Sequence, residues 1–287
     1  MINNKEEKPT EAIDEEKSNI SIVQNKRQSH FLGFFVKAYK CTLGLIFPQK
    51  IKCVVCNKDL KKNSQYEVCD ECLKKMERIP ANHCCIRCGA KLKAEEKFCY
   101  NCQRDERFFD QARSSFVYDG DIKNLVHKLK FENKQYIARA FATFLAETLK
   151  ETDWEFDKII PVPISESKLK SRGYNQAKLL ADELANILKR EVNSEALQKI
   201  KETSDQVGLS YLERKKNLKG SFKVVDRYAI RNNNILLIDD VMTTGATASA
   251  CAEVLKKAKA NRVFVLTVAH GVVELPQLQP VKQEKTK

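Results

Sequence analysis

The sequence has no apolar run of membrane-spanning length and no apolar region directly behind its N-terminus. The apolar stretch Phe31–Phe47 falls short of the roughly 20 residues a spanning helix needs, and Lys37 and Lys40 interrupt it. It is expected to be a helix over residues 31–50 docked on the protein's own core and ended near Pro48, with Cys41 packed inside it. Without an apolar region at the start, no signal peptide is expected. Residues 1–30 are poor in anything to bury and mix lysine with glutamate, which predicts a disordered tail. Eleven cysteines in such a chain point to metal ligands rather than disulfides, because the cytoplasm keeps thiols reduced.

The composition is that of a globular protein: 43% hydrophobic and 31% charged residues over 287 positions. The formal net charge is +13, and two Zn²⁺ on eight thiolates would lower it to about +9. A basic surface of that size suits phosphates or nucleic acid without proving either.

Eight of the cysteines form four knuckles, Cys53-x-x-Cys56, Cys69-x-x-Cys72, Cys85-x-x-Cys88 and Cys99-x-x-Cys102. Each knuckle presents two thiolates on one tight turn, and two knuckles complete a tetrahedral Zn²⁺. Residues 51–104 are therefore expected to be a double zinc ribbon holding two structural zincs, which stand in for a core too small to fold alone. A zinc site filled by four cysteines has no open position for a substrate water, so catalysis at the metal is not expected. Sequential pairing of the knuckles is expected, with interleaved pairing as the alternative. His83 and Cys84 stand beside Cys85, and either could take its place as a ligand.

Beyond the ribbons, apolar patterning alternates between strand and helix. Strands are predicted at Ser115–Tyr118, Lys158–Pro163, Asn234–Ile238 and Arg262–Ala269. Helical spacing runs through Ile122–Leu129, Phe141–Leu149, Ala177–Leu188 and Ala246–Lys257. This order predicts an α/β fold over 112–272, a parallel sheet with helices on both faces, followed by a loose C-terminal tail over 273–287.

The segment Ile235–Thr247 carries the most specific chemistry. An apolar strand leads into Asp239 and Asp240, then Val241, Met242, Thr243, Thr244, Gly245, Ala246 and Thr247, then a helix. Carboxylates at the carboxyl end of a parallel strand lie where open α/β sheets bind ligands, and can accept hydrogen bonds from ribose hydroxyls. Threonine hydroxyls and amides around a glycine at a helix N-terminus favour a phosphate group. The segment resembles the ribose-phosphate loop of type I phosphoribosyltransferases. That resemblance implies that Asp239 and Asp240 hold the ribose hydroxyls, while Thr243, Thr244, Gly245, Ala246 and Thr247 wrap the 5′-phosphate of phosphoribosyl pyrophosphate, with Mg²⁺.

Further segments narrow the likeness. Ile160-Pro-Val-Pro163, Ser165, Lys168 and Arg172-Gly-Tyr-Asn-Gln-Ala177 are similar to the pyrophosphate loop of ComF late-competence proteins. Gln206, Leu209, Ser210, Arg214 and Asn217 resemble that family's flexible segment, and Lys130-Phe131 also fits. The resemblance implies pyrophosphate contacts from Ser165, Lys168, Arg172, Gln206 and Arg214. It also implies a cytoplasmic protein that serves DNA uptake and recombination by binding single-stranded DNA, with DNA-uptake proteins as partners. An active phosphoribosyltransferase of nucleotide metabolism is the alternative. Glu166, Lys199 and Lys201 depart from the family's usual residues. His127 and His270 are tempting as acid–base groups, and no segment reads as an acceptor pocket.

Overall fold

The computed structural model describes residues 52–62, 64–93, 96–203 and 211–271, apart from the side chains of Tyr211 and Leu212. The expected tails and the helix over 31–50, with Cys41, lie outside these residues, as do Gln206, Leu209 and Ser210.

The ribbons carry two short helices, α1 (Asp70–Leu73) and α2 (Tyr100–Arg104), each beginning just after a cysteine. Then follow β1 (Gln111–Val117), α3 (Gly120–Phe131), α4 (Ile137–Lys150), β2 (Lys158–Pro161), α5 (Glu166–Arg172) and α6 (Gln176–Leu188). The chain continues through β3 (Leu197–Lys199), α7 (Tyr211–Leu218), β4 (Phe222–Val224), β5 (Ile235–Met242), α8 (Ala246–Lys257) and β6 (Val263–His270). Four strands form a wholly parallel sheet in the order β1-β6-β5-β2, and β3 pairs antiparallel with β4. Helices cover both faces of the parallel sheet, as expected.

The pleat explains the layers. Strand side chains alternate, so neighbouring residues enter different cores. Leu236, Ile238 and Phe264 pack with α3, α4 and α6, whereas Ile235, Leu237 and Val265 pack with α8 and the β3–β4 pair. The two ribbons divide in the same way. Cys53, Cys72 and Met76 join the first core, and Cys85, Cys88 and Cys102 join the second.

The chain between the ribbons and the first knuckle of the second ribbon together close one edge of the sheet. Ile79 donates its amide to the Ser115 carbonyl at 3.1 Å, Val117 donates to Glu77 at 2.9 Å, and Ala112 donates to Arg87 at 2.8 Å. Backbone groups of β1 that would otherwise invite a foreign strand are thereby satisfied. Gly89 makes the second ribbon's approach possible. Its φ is +72°, and a Cβ there would lie 2.7 Å from the Ala112 carbonyl oxygen. The first ribbon is clamped to α4. Tyr66 stacks on Phe144 with centroids 4.7 Å apart and donates its hydroxyl to Glu147 at 2.6 Å, where Arg78 also pairs at 3.0 Å.

Four expectations need adjusting: β1 begins at Gln111 rather than Ser115 and ends at Val117, and β2 ends at Pro161 rather than Pro163. The strand expected to end at Ile238 continues through both aspartates to Met242, because pairing with β6 continues to His270. The segment read as a pyrophosphate loop contains the helix α5, whose side chains leave no apolar stripe to reveal it.

Candidate functional site

At the carboxyl end of β5 the chain turns through Thr243 and Thr244 into α8, and a pocket opens to solvent there. Asp239, Thr243–Thr247 and Thr267 of the neighbouring strand line it. Gly245 supplies the turn with φ +73°, a left-handed conformation costly to a residue with a side chain. Phe109 lies beneath it, 3.7 Å from where a Cβ would stand. The N-terminal residues of α8, Ala246 to Ala248, are among those lining this pocket, and a helix N-terminus favours an anion.

The two aspartates occupy different surroundings because the pleat turns them apart. Asp239 lines the pocket. Burial, and then the neighbouring Asp240 carboxylate, push its pKa up to about 7 despite opposing help from Lys130 and the Asp240 amide. Asp240 is buried, is not among the pocket-lining residues, and lies 3.0 Å from the Lys130 ammonium at the end of α3. Its other oxygen accepts the Val241 amide at 2.7 Å.

Beside the pocket, Arg214 of α7 donates to the Thr243 hydroxyl at 2.6 Å. The segment following β2 runs alongside β5, since the Val162 amide donates to the Ile238 carbonyl at 2.9 Å. On that segment Ser165 is buried, and Ser167 donates its amide and hydroxyl to the Glu202 carboxylate at 3.1 and 2.8 Å. Lys199 of β3 has its pKa lowered by burial and by nearby Lys168, with Glu202 acting against that shift.

The metal centres are two separate thiol clusters, Cys53–Cys56–Cys69–Cys72 and Cys85–Cys88–Cys99–Cys102. Within each, all four sulfurs lie within 4.8 Å of one another. Cys56 and Cys69 Sγ are 3.7 Å apart, and Cys88 and Cys99 Sγ are 3.6 Å apart. Tetrahedral zinc with bonds of about 2.3 Å requires sulfurs about 3.8 Å apart, so the donors fit Zn²⁺. Sequential pairing holds, and the choice beside Cys85 resolves. Cys84 is turned away, donating to the Ala81 carbonyl at 3.3 Å and contacting Arg113, while His83 is exposed.

A double zinc ribbon domain matches residues 42–103. The chain is 29% identical over 228 residues to competence protein F of Haemophilus influenzae, covering 77% of this chain and 97% of that protein. Competence protein ComFC of Bacillus subtilis is 27% identical, with 76% and 95% covered. The DNA utilization protein YhgH of Escherichia coli K12 is 30% identical over 186 residues, which span 63% of this chain and 81% of its own length. The chain belongs to the ComF family. Among solved structures, a hypoxanthine phosphoribosyltransferase of Staphylococcus aureus overlaps 47% of this chain and 64% of its own at 14% identity, with a TM-score of 0.30.

Apart from Asp240, which pairs with Lys130 and is not among the pocket-lining residues, the expected residues of this ComF-family chain fall into three groups. Asp239 and the 243–247 loop share one pocket, and Arg214 reaches it through Thr243. Ser165, Lys168 and Arg172 lie on the adjacent segment but are not among its lining residues; Arg172 bonds Gln176 at 3.1 Å instead. Gln206 lies outside the described residues. Neither histidine joins the pocket lining. His270 is buried, its pKa lowered by burial, with Nδ1 2.6 Å from the Gly271 carbonyl. His127 is exposed beside Glu132 at 3.7 Å. Sequence reading misses Thr267, hidden in an apolar strand, and Glu202, an unremarkable acid in a polar connection. Lys130 stands out only through the family resemblance, although a lysine ending an otherwise apolar helical stripe is a signal in its own right.

Proposed function

We propose that this chain binds phosphoribosyl pyrophosphate, with Mg²⁺, and serves DNA uptake and recombination by binding single-stranded DNA in the cytoplasm. One observation carries the ligand reading: Asp239 and the 243–247 loop line a single pocket at the N-terminus of α8, so hydroxyl acceptors and anion donors converge. In this reading Asp239 accepts from the ribose hydroxyls, and Lys130, held by Asp240, favours its ionised form. Thr243–Thr247 enclose the 5′-phosphate, and Ser165, Lys168, Arg172, Gln206 and Arg214 face the diphosphate. The nucleic-acid part rests on the +13 formal charge and on relatives named for competence and DNA utilization. Reduced zinc-bound thiols suit the cytoplasm, and no helix among the described residues is long and apolar enough to cross a membrane.

Thermal shift with phosphoribosyl pyrophosphate and Mg²⁺ tests the ligand. Stabilisation is expected in the wild type and its loss in Asp239→Ala; a wild type without a shift would overturn the reading. Binding to an oligothymidine should weaken steeply with salt, and undetectable binding would remove the nucleic-acid part.

A further inference from the structure

Phe131 is the last residue of α3, and 60% of its surface is exposed. Its neighbours hold it firmly in place. Lys130, one residue earlier, pairs with Asp240 of β5. The carbonyl of Leu129 accepts the Tyr174 hydroxyl at 2.5 Å, fastening the α5–α6 turn to the end of α3. Across that junction the Arg172 guanidinium sits 4.9 Å from the centroid of the Phe131 ring, and the His127 ring approaches from its own helix at 4.9 Å. Tyr136, 51% exposed, closes the short connection that follows. The result is a fixed aromatic ring with a guanidinium beside it and open surface remaining.

From these contacts we infer that Phe131 and Arg172 form a stacking platform for a base of single-stranded DNA, placed beside the Asp239 pocket. The inference rests on the nucleic-acid part of the proposed function and gives it a location. Bases of any identity stack on an exposed ring, and arginine adds a cation that tolerates both the base face and the backbone phosphate. The surrounding charge suits a polyanion. With Lys130 committed to Asp240, Lys123, Lys128 and Lys134 still outnumber Asp121 and Glu132 over residues 120–136, and Lys168, Lys170 and Arg172 outnumber Glu166 along α5. A tethered base fits better than a free one. Phe131 is not among the residues lining the pocket, and its exposure leaves a base unenclosed unless a strand holds it there. Two nearby or site-lining aromatics fit less well: Phe109 under Gly245 is buried, and the Tyr174 hydroxyl is committed to Leu129.

The test uses the full chain with its zinc. Affinity for a fluorescent oligothymidine is measured by anisotropy at several salt concentrations for wild type, Phe131→Leu and Phe131→Trp. Phe131→Leu is expected to weaken binding at least about fivefold. The dependence on salt should stay unchanged, since no charge is removed. Phe131→Trp should restore affinity, and an oligonucleotide carrying 2-aminopurine should lose stacking quench only with the leucine variant. A thermal shift with phosphoribosyl pyrophosphate should persist in all three, since Asp239 and the 243–247 loop are untouched. Equal affinity of wild type and Phe131→Leu would overturn the platform while leaving the nucleic-acid reading intact. A wild type that binds no oligothymidine would defeat that reading first. Thymidine monophosphate competing as well as the strand, base for base, would show a free-base site and overturn the tethered one.

Discussion

The Lys130 ammonium lies 3.0 Å from Oδ2 of Asp240, joining the last turn of α3 to β5 one residue past the pocket's carboxylate. Burial works to lower the Lys130 pKa, but the Asp240 charge and the contact with it outweigh burial and raise it. Both side chains are largely out of water, so each charge depends on the other. Removing one partner of such a pair costs about 3–5 kcal/mol, because the remaining charge is stranded. Lys130→Met should therefore lower the melting temperature clearly, and Lys130→Met with Asp240→Asn should recover much of the loss. Equal and additive losses in the single and double variants, read by chemical denaturation, would show that the two groups are not coupled.

Asp239 makes the ligand-free protein sensitive to pH. Its folded pKa of about 7 stands above the ordinary 3.8, raised first by burial and next by Asp240. A folded carboxyl with a raised pKa contributes stability that is fully present below about 4 and lost as pH rises through about 7. The ligand-free chain should accordingly melt lower at pH 8 than at pH 6, with the slope reduced in Asp239→Asn. Ligand binding should run the other way, since accepting from ribose hydroxyls favours the ionised form. Matching melting profiles of wild type and Asp239→Asn would remove this account.

Much of this layout is legible from residue order. The helix Ala246–Lys257 has the bounds expected of it, because Gly245 marks its start and apolar spacing runs through it. Three of the four parallel strands follow from short apolar runs and the metal clusters from knuckle spacing alone, whereas β1, with Gln111, Arg113, Ser114 and Ser115 in it, is legible only at its end. What escapes is non-local. The β3–β4 pair has three residues in each strand, and only their meeting makes them strands. The edge contact of residues 77–79 with β1 rests on backbone hydrogen bonds, which leave no mark on side-chain pattern. Within the candidate site, the loop motif is visible but the separation of Asp239 from Asp240 is not. It requires the strand to continue through both residues, against the usual avoidance of aspartate in strands.

The neighbours Cys84 and Cys85 should differ sharply under substitution. Cys85 belongs to the second thiol cluster, whereas Cys84 packs against Ala81 and Arg113 outside it. Cys84→Ser should retain about two zincs per chain, and Cys85→Ser should lose one, judged by elemental analysis of the purified chain. Because the second cluster is buried in the same core as α8, losing that zinc should also lower the melting temperature. Zinc loss from Cys84→Ser would show that the ligand set is drawn wrongly.

Glu202 occupies the approach to the segment expected to meet the diphosphate. Its carboxylate accepts the amide and hydroxyl of Ser167, and these bonds, the amide foremost, hold its pKa below the ordinary value. A diphosphate arriving at the start of α5 meets a negative charge already bonded to the donors it needs. Glu202→Gln preserves the shape and removes the charge, so phosphoribosyl pyrophosphate and inorganic pyrophosphate should each bind about two- to fivefold tighter, the size expected for an exposed charge contact. Ribose 5-phosphate has no diphosphate and should bind the variant and the wild type alike. The three ligands, titrated by calorimetry with Mg²⁺ present, separate local repulsion from a general change in the pocket. Unchanged or weaker pyrophosphate binding would mean that Glu202 fixes α5 without opposing the ligand, and equal tightening of ribose 5-phosphate would place its effect at the 243–247 loop instead.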